Sequence, residues 1–309
     1  MKKISILIPC YNSERTIEHV VNEIVETLSK FKSYDYEIIL VNDDSPDNVY
    51  DIIKKLVNNN SKIKGISLTK NFGQHAALMA AFHNLSGNIA VAVDDDGQTP
   101  IDNYLIELIR SIESGNDVVF ARYFKVKQSL FRRVGSKIND IMLRMLLSKP
   151  KHVVVNSYFA CNQIMIDEIK KYKGPFPYIA GILLRSTKKI ININVEHRSR
   201  LYGKSNYNIF KLILLWLNGF TAFSIIPLRI ATVTGFVTML IGFICILLVV
   251  IRKLFISPDI PVGYSSIISL TLFIGGIVIL ITGMIGEYVG RIYLSMNNTP
   301  QYIIREKIN

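Results

Sequence analysis

Over the first 120 residues, short apolar runs alternate with longer amphipathic stretches. The runs predict strands at Ile4–Ile8, Glu37–Val41, Lys64–Leu68, Ile89–Val93 and Asp117–Ala121. Apolar residues recurring at three- and four-residue steps predict helices at Thr16–Phe31, Asn48–Asn58, Gln74–Asn84 and Asn103–Ser114. Strands and helices taking turns in this way mean βαβ units and a mostly parallel sheet. Ligands of such sheets bind at the carboxyl ends of the strands, so the polar residues just after each strand are the ones to inspect.

Beyond this alternation the pattern changes. Residues 129–148 read as a basic amphipathic helix carrying Arg132, Arg133, Lys137 and Arg144, and residues 157–200 read as mixed structure. Asn208–Ser224 is apolar but holds Lys211, Trp216 and Asn218, a composition suited to the membrane interface. Ile230–Ile251 and Ser265–Gly286 contain no charged residue, and each has the roughly 20 residues needed to cross hydrocarbon. The intervening loop, Arg252–Tyr264, carries Pro258 and Pro261. The expected organisation is an α/β domain over 1–207, an interfacial segment over 208–229, two transmembrane helices at 230–251 and 265–286, and a tail over 287–309. Two spans put the first domain and the tail on one side. Lys204, Lys211, Arg229, Arg291, Arg305 and Lys307 flank that side, whereas the loop offers Arg252 and Lys253. The excess of positive charge places the α/β domain and tail in the cytoplasm and the chain in the cell membrane.

Composition sharpens the picture in three places. Hydrophobic residues make up 50% of the chain, concentrated after residue 208, which separates a soluble part from a lipid-embedded one. Lys and Arg number 36 against 24 Asp and Glu, a net charge of +12. With a membrane segment present and no nucleic-acid motif, that charge points to phosphates and anionic headgroups, and no nucleic-acid partner is expected. The three cysteines, Cys10, Cys161 and Cys245, are far apart, which argues against a disulfide framework. The opening MKKISILIPCYN has too short an apolar core for a signal peptide and reads as a buried strand.

The strongest chemical signal is VAVDDDGQTP at 91–100. Three adjacent carboxylates repel one another, so a cation is implied. In extended chain Asp94 and Asp96 point to one side and Asp95 to the other. Two oxygen ligands so spaced suit Mg2+ or Mn2+ completed by water and phosphates, and Gln98 could add a carbonyl oxygen. The competing reading is a helix N-terminal cluster before Ile101. After the second strand, in VNDDSPD at 41–47, Asp43 could accept from a base or ribose, while Ser45 and Asp47 serve equally as turn residues. After the first strand, Tyr11 could stack on a base. Gly203-Lys204-Ser205 is not a P-loop, because Arg198 stands where its first Gly must be.

PCYNSE, VNDDSPD, LTKNFGQHAAL and DDDGQTP occur in order, each after a strand. Together they resemble the nucleotide-sugar half of a family 2 glycosyltransferase. Arg132 to Ser136, Arg200-Leu-Tyr-Gly203-Lys-Ser205, the two spans and GEYVGRIY at 286–293 resemble the branch that includes dolichol-phosphate mannose synthases and undecaprenyl-phosphate sugar transferases. The resemblance implies a GT-A (Rossmann-like) nucleotide-sugar-binding domain followed by interfacial helices and two transmembrane helices. It implies that Pro9, Tyr11 and Asp43 line the nucleotide site and that Asp94, Asp96 and Gln98 form the metal and diphosphate motif. It further places Arg122, Arg132 and Ser136 on the acceptor's phosphate, and Arg200, with Ser205 of the same motif, near the donor phosphates. Asp94, Asp96 and Arg200 are thus the expected catalytic residues. Ser13 stands where the family usually has Glu, Asp44 where it has Gly, Asn206 in place of a common Lys, and Ser157 where many relatives are acidic.

The implied reaction is a single inverting, metal-dependent transfer from a nucleotide-sugar, a UDP-sugar being favoured, to a polyprenyl phosphate of the undecaprenyl type. A phosphate monoester carries about −1.5 to −2 charge at pH 7, so it is already a nucleophile and needs no strong base. A processive synthase would carry Q-x-x-R-W, and Trp216, the one Trp, lies in a different context. The alternative from another class is a membrane-tethered, non-catalytic nucleotide-sugar-binding or scaffold protein of the same fold. Whether the chain works as a homo-oligomer is left open by the sequence.

Overall fold

The computed structural model describes residues 2–31, 33–124, 140, 143–144, 147, 149–196, 198, 232–238, 240, 244, 251, 264–297 and 299–309. The chain divides into two compact units, Met1–Gly219 with Asn298–Asn309, and Phe220–Asn297. In the first, the strands are β1 (Lys2–Cys10), β2 (Tyr34–Asn42), β3 (Ile63–Leu68), β4 (Ile89–Ala92), β5 (Val118–Phe124), β6 (Phe159–Asn162), β7 (Ile190–Glu196) and β8 (Ile304–Ile308). They form one sheet in the order β7-β5-β6-β4-β1-β2-β3-β8. β1 to β5 and β7 share one direction, and β6 and β8 run against it. The helices of this unit are α1 (Ile17–Ser29), α2 (Val49–Asn59), α3 (Gln74–Asn84), α4 (Asp102–Glu113), α5 (Gln163–Lys171) and α6 (Ile179–Ser186). Every strand and helix expected over the first 120 residues is present, and the mixed structure expected after 157 is β6, α5, α6 and β7.

The central strands are apolar throughout because both faces are covered. Ile4, Ile6 and Ile8 of β1 pack with Val20 and Ile24 of α1, Ile53 of α2 and Leu105 and Ile109 of α4. Leu7 and Ile39 are buried too, and α3 lies against β1 and β2. α2 shows how the pattern works: Val49, Ile53, Leu56 and Val57 fall on one stripe and are its buried residues. α3 is buried from Ala76 to Phe82, and four alanines let it sit close to the sheet on one side and α5 on the other. Under the amino ends of the strands Glu37, 2% exposed, accepts from Ser5 Oγ (2.6 Å) and from Ser86 N (2.6 Å) and Oγ (2.9 Å), and pairs with Lys64 Nζ at 2.9 Å. Burial opposes its charge, but these partners win and hold the carboxyl down at about 2.

Of the expected basic helix at 129–148, the residues described are helical, with Leu143 and Leu147 buried and Arg144 paired with Asp140 at 2.5 Å. The segment at 208–229 lies outside the described residues.

In the second unit, residues 232–238 are helical, and α7 (Tyr264–Met296) runs unbroken for 33 residues. At about 1.5 Å per residue α7 is about 50 Å long, more than the hydrocarbon core needs. Its Leu270, Phe273, Ile279, Leu280 and Val289 are exposed. Among the described residues it holds one candidate span, Phe273–Met296. Two features depart from the expected domain borders. The helix passes the expected end at Gly286 by ten residues, since Glu287 and Arg291 interrupt the uncharged window without interrupting helical hydrogen bonds. The last residues of the expected tail form β8 and belong to the first unit, paired antiparallel to β3.

Candidate functional site

The strand order puts the carboxyl ends of β4, β1, β2 and β3 side by side, and their loops build one surface. Asp94 stands two residues past the end of β4, and the chain then turns through Asp95, Asp96 and Gly97, whose φ of +73° suits glycine. The register Ala92↔Phe159 continues outward to set Asp94 opposite Ser157 on the segment entering β6. Ser157 Oγ donates to Asp94 Oδ2 at 2.5 Å, and Gln74 Nε2, from the start of α3, donates to Oδ1 at 3.0 Å. Asp95 turns the other way: its Oδ2 accepts from Tyr11 N at 2.8 Å, and its carbonyl accepts from Thr16 Oγ1 at 2.6 Å. Asp96 Oδ1 accepts from Gln98 N at 3.0 Å, closing a small turn, and Gln98 Nε2 reaches Arg198 O at 3.5 Å.

The loops after β1 and β2 are laced together. Asn12 N donates to Ser45 Oγ (2.8 Å), Glu14 N to Asp47 Oδ2 (2.8 Å), and Asn48 N to Glu14 Oε2 (3.1 Å). Asp43 is buried, and its two carboxylate oxygens accept from Phe72 N and Gly73 N, each at 2.8 Å. Gly73 has φ +90°, which lets the chain present both amides to one carboxylate. Asp44 has φ +51°. That left-handed backbone suits glycine, and Asp is among the residues that tolerate it best.

Charge is concentrated here. Burial, with the neighbouring Asp94 and Asp96 carboxylates adding to it, pushes Asp95 up to about 7 despite the bond from Tyr11. Burial likewise raises Asp43 to about 6 against the two backbone amides, with Asp44 contributing. Tyr123 on β5 has its phenol pushed well up by burial and then by Asp94, so it stays protonated. Among the described residues, no group of three or more His, Cys, Asp or Glu side chains could hold a metal ion by itself. The hard oxygens of Asp94, Asp96 and Gln98 fit a divalent ion that takes its remaining ligands from a diphosphate and water.

The structure thus gathers Pro9, Tyr11, Asp43, Asp94, Asp96 and Gln98 at the carboxyl ends of β1, β2 and β4. Pro9 is half-buried as the penultimate residue of β1, and Tyr11 is 39% exposed. Arg122 is exposed near the carboxyl end of β5, a strand parallel to β4, so it stands at the same end of the sheet. Arg132, Ser136, Arg200 and Ser205 lie outside the described residues. Just before Arg200, Arg198 is anchored to Glu23 of α1 (2.6 Å) and to Asp102 of α4. Gln74 was not singled out from sequence. It stands in NFGQHAAL, after a strand, and that position was its signal.

The comparisons agree with this architecture. A family model described as Glycosyl transferase family 2 matches residues 5–170, and one described as GtrB C-terminal hairpin matches residues 226–292. The chain is similar to the undecaprenyl-phosphate 4-deoxy-4-formamido-L-arabinose transferase of Proteus mirabilis (strain HI4320), 29% identical over 310 residues, covering 100% of this chain and 94% of that protein. It is similar to the protein of the same name from Yersinia enterocolitica serotype O:8, 31% identical over 324 residues, covering 100% and 94%. To the glycosyltransferase YkcC of Bacillus subtilis (strain 168) it is 31% identical over 303 residues, covering 98% and 93%. Among solved structures it resembles glucosyl-3-phosphoglycerate synthase from Mycobacterium tuberculosis, in complex with Mn2+, UDP-glucose and phosphoglyceric acid. The TM-score is 0.53 at 18% identity, covering 71% of this chain and 78% of that one. At that identity the likeness shows the Rossmann-like GT-A fold.

Proposed function

The chain belongs to glycosyl transferase family 2, and from that premise we propose that it transfers a sugar from a UDP-sugar to a polyprenyl phosphate of the undecaprenyl type, making a lipid-linked sugar at the membrane. The observation that carries this reading is the acidic turn at 94–98, set beside the laced loops of β1 and β2 at the ligand end of the sheet. The full-length likeness to proteins named for undecaprenyl phosphate supports the acceptor.

In this reading Pro9 and Tyr11 receive the nucleoside, and Asp43 offers it the lone pairs that Phe72 and Gly73 leave. Asp94, Asp96 and Gln98 would hold Mg2+ or Mn2+, which when bound neutralises charge on the departing diphosphate. Arg200 and Ser205 are assigned to the donor phosphates, and Arg122, Arg132 and Ser136 to the acceptor phosphate, charges that would keep two anions close enough to react. An acceptor phosphate oxygen forms a bond to the anomeric carbon as the bond to the diphosphate oxygen breaks on the opposite side, with inversion. The attacking oxygen is already ionised, so no proton has to be removed. That is compatible with a serine at 157, whose hydroxyl orients Asp94 instead of taking a proton.

Connectivity supports two spans. The chain leaves the first unit after Gly219 and returns to it at Asn298, ending as a strand of the same sheet. That both ends of the excursion belong to one unit fits an even number of crossings, with α7 as one and the uncharged sequence at 230–251 proposed as the other. The excess of basic residues flanking the excursion supports a cytoplasmic side for the first unit. The test is to incubate membranes containing the protein with undecaprenyl phosphate and a panel of nucleotide-sugars and identify the product by mass. A glycosylated undecaprenyl phosphate formed from one UDP-sugar is expected. Failure of every donor to label the lipid would overturn the proposal.

A further inference from the structure

Residues 293–309 lie beyond both matched families, which cover 5–170 and 226–292, yet they add the last strand to the sheet that carries the donor site. β8 runs antiparallel to β3, so it enters at the carboxyl end of β3, the end where the loops gather. On the way in it is tied down repeatedly. Gln301 Nε2 donates to Tyr172 O (2.9 Å) and Gly174 O (2.8 Å), Tyr302 Oη meets His83 Nδ1 at 3.0 Å, and Ile303 O accepts from Thr69 N at 3.0 Å. Tyr50 Oη on α2 donates to Glu306 Oε2 at 2.8 Å.

Arg305 is the residue of this strand that reaches the nucleotide loops. Its Nη2 donates to Thr69 O at 2.8 Å and stands 3.9 Å from Asp44 Oδ1. Thr69 opens the loop that ends in Phe72 and Gly73, whose amides hold the Asp43 carboxylate, and Asn71 Nδ2 donates to Asp43 O at 3.2 Å. Asp44 follows Asp43 in the strained left-handed turn. One guanidinium therefore touches the start of the loop that encloses Asp43 and the residue that leaves it. We infer that the tail strand is a working part of the donor-nucleotide site, with Arg305 as the positioning residue that locks the β2–α2 loop to the β3–α3 loop. This rests on the donor site proposed above. Arg305 is 61% exposed and Asp44 47%, and so open a pair contributes little to global stability. Its effect belongs on the loops that receive the nucleotide.

The test uses the full chain in lipid nanodiscs, with UDP titrated calorimetrically and the kinetic constants for both substrates measured. Arg305→Ala is expected to weaken UDP binding and raise the donor KM by roughly fivefold, with acceptor KM unchanged and the thermal midpoint within a degree or two. Arg305→Lys, which can still reach Thr69 O, is expected to recover part of the loss. Asp44→Asn, which breaks the pair from the other side, is expected to shift UDP affinity in the same direction and less. Wild-type UDP affinity in the folded variants, or equal losses for donor and acceptor, would overturn the inference. A wild-type protein that binds no UDP would overturn the donor site itself; one that binds UDP as well without Arg305 would remove the tail's role alone.

Discussion

At Asp94 two donors from different elements, Gln74 and Ser157, leave the carboxylate little freedom to rotate. A hydrogen bond to a charged group contributes about 1.5–3 kcal/mol. Ser157→Ala is accordingly expected to lower kcat/KM by roughly 10- to 100-fold in a protein that stays folded, as steady-state kinetics beside circular dichroism will show. The neighbouring position is set by backbone geometry. A β-branched residue at the φ of Asp44 is strained, so Asp44→Val should cost about 1–2 kcal/mol in a denaturant titration, and Asp44→Gly should not. Asp43 gives a pH signature. Its folded value near 6 exceeds the unfolded one, so the folded state holds the proton longer. This contribution to stability is full below about pH 4 and is lost as pH rises through 6. Thermal midpoints between pH 4 and 7 should fall less steeply in Asp43→Asn than in wild type. Much of the local geometry was legible in the residues: three acids after an apolar strand marked the turn at the ligand end of the sheet, and alternation separated Asp95 from its neighbours. Ser157 was noticed as a departure, but its hold on Asp94 depends on the pairing of β4 with β6, which spacing along the chain does not encode.

Elements were legible where burial is two-sided and periodicity strong. β1, β2, α1 and α2 follow from apolar runs and stripes that their own sequence contains. β8 does not: it is a short edge strand whose Arg305, Glu306 and Lys307 are exposed, and only Ile304 and Ile308 lean inward. Its order comes from β3 and from side chains of α2 and α3, so a reading of local pattern leaves it in a tail. Charged edge residues of this kind also discourage pairing with a second sheet. At the opposite end of the strands Glu37 ties β1, β2, β3 and the segment before β4 together through Ser5, Lys64 and Ser86. Glu37→Ala leaves Lys64 and two serines without their shared acceptor, and should cost about 3–5 kcal/mol, measured by chemical unfolding of the full chain in detergent.

For the whole molecule, the chain leaves the first unit after Gly219 and rejoins it at Asn298, and the returning residues add β8 to the sheet that carries the acidic turn. The sequence announced the apolar lengths, while the return of the tail into the sheet became visible only in three dimensions. The acidic turn after β4 is proposed to hold a divalent ion that the transfer of sugar to a polyprenyl phosphate requires. The most direct measurement is product formation by purified protein in nanodiscs containing undecaprenyl phosphate, with a UDP-sugar, in chelator and after Mn2+ or Mg2+ is restored, for wild type and Asp96→Asn. Mn2+ binding without donor should be followed in parallel by electron paramagnetic resonance. The account predicts that wild type is silent in chelator and recovers with metal, while folded Asp96→Asn neither recovers nor retains Mn2+. Full transfer in excess chelator, or a variant as active as wild type, would contradict it.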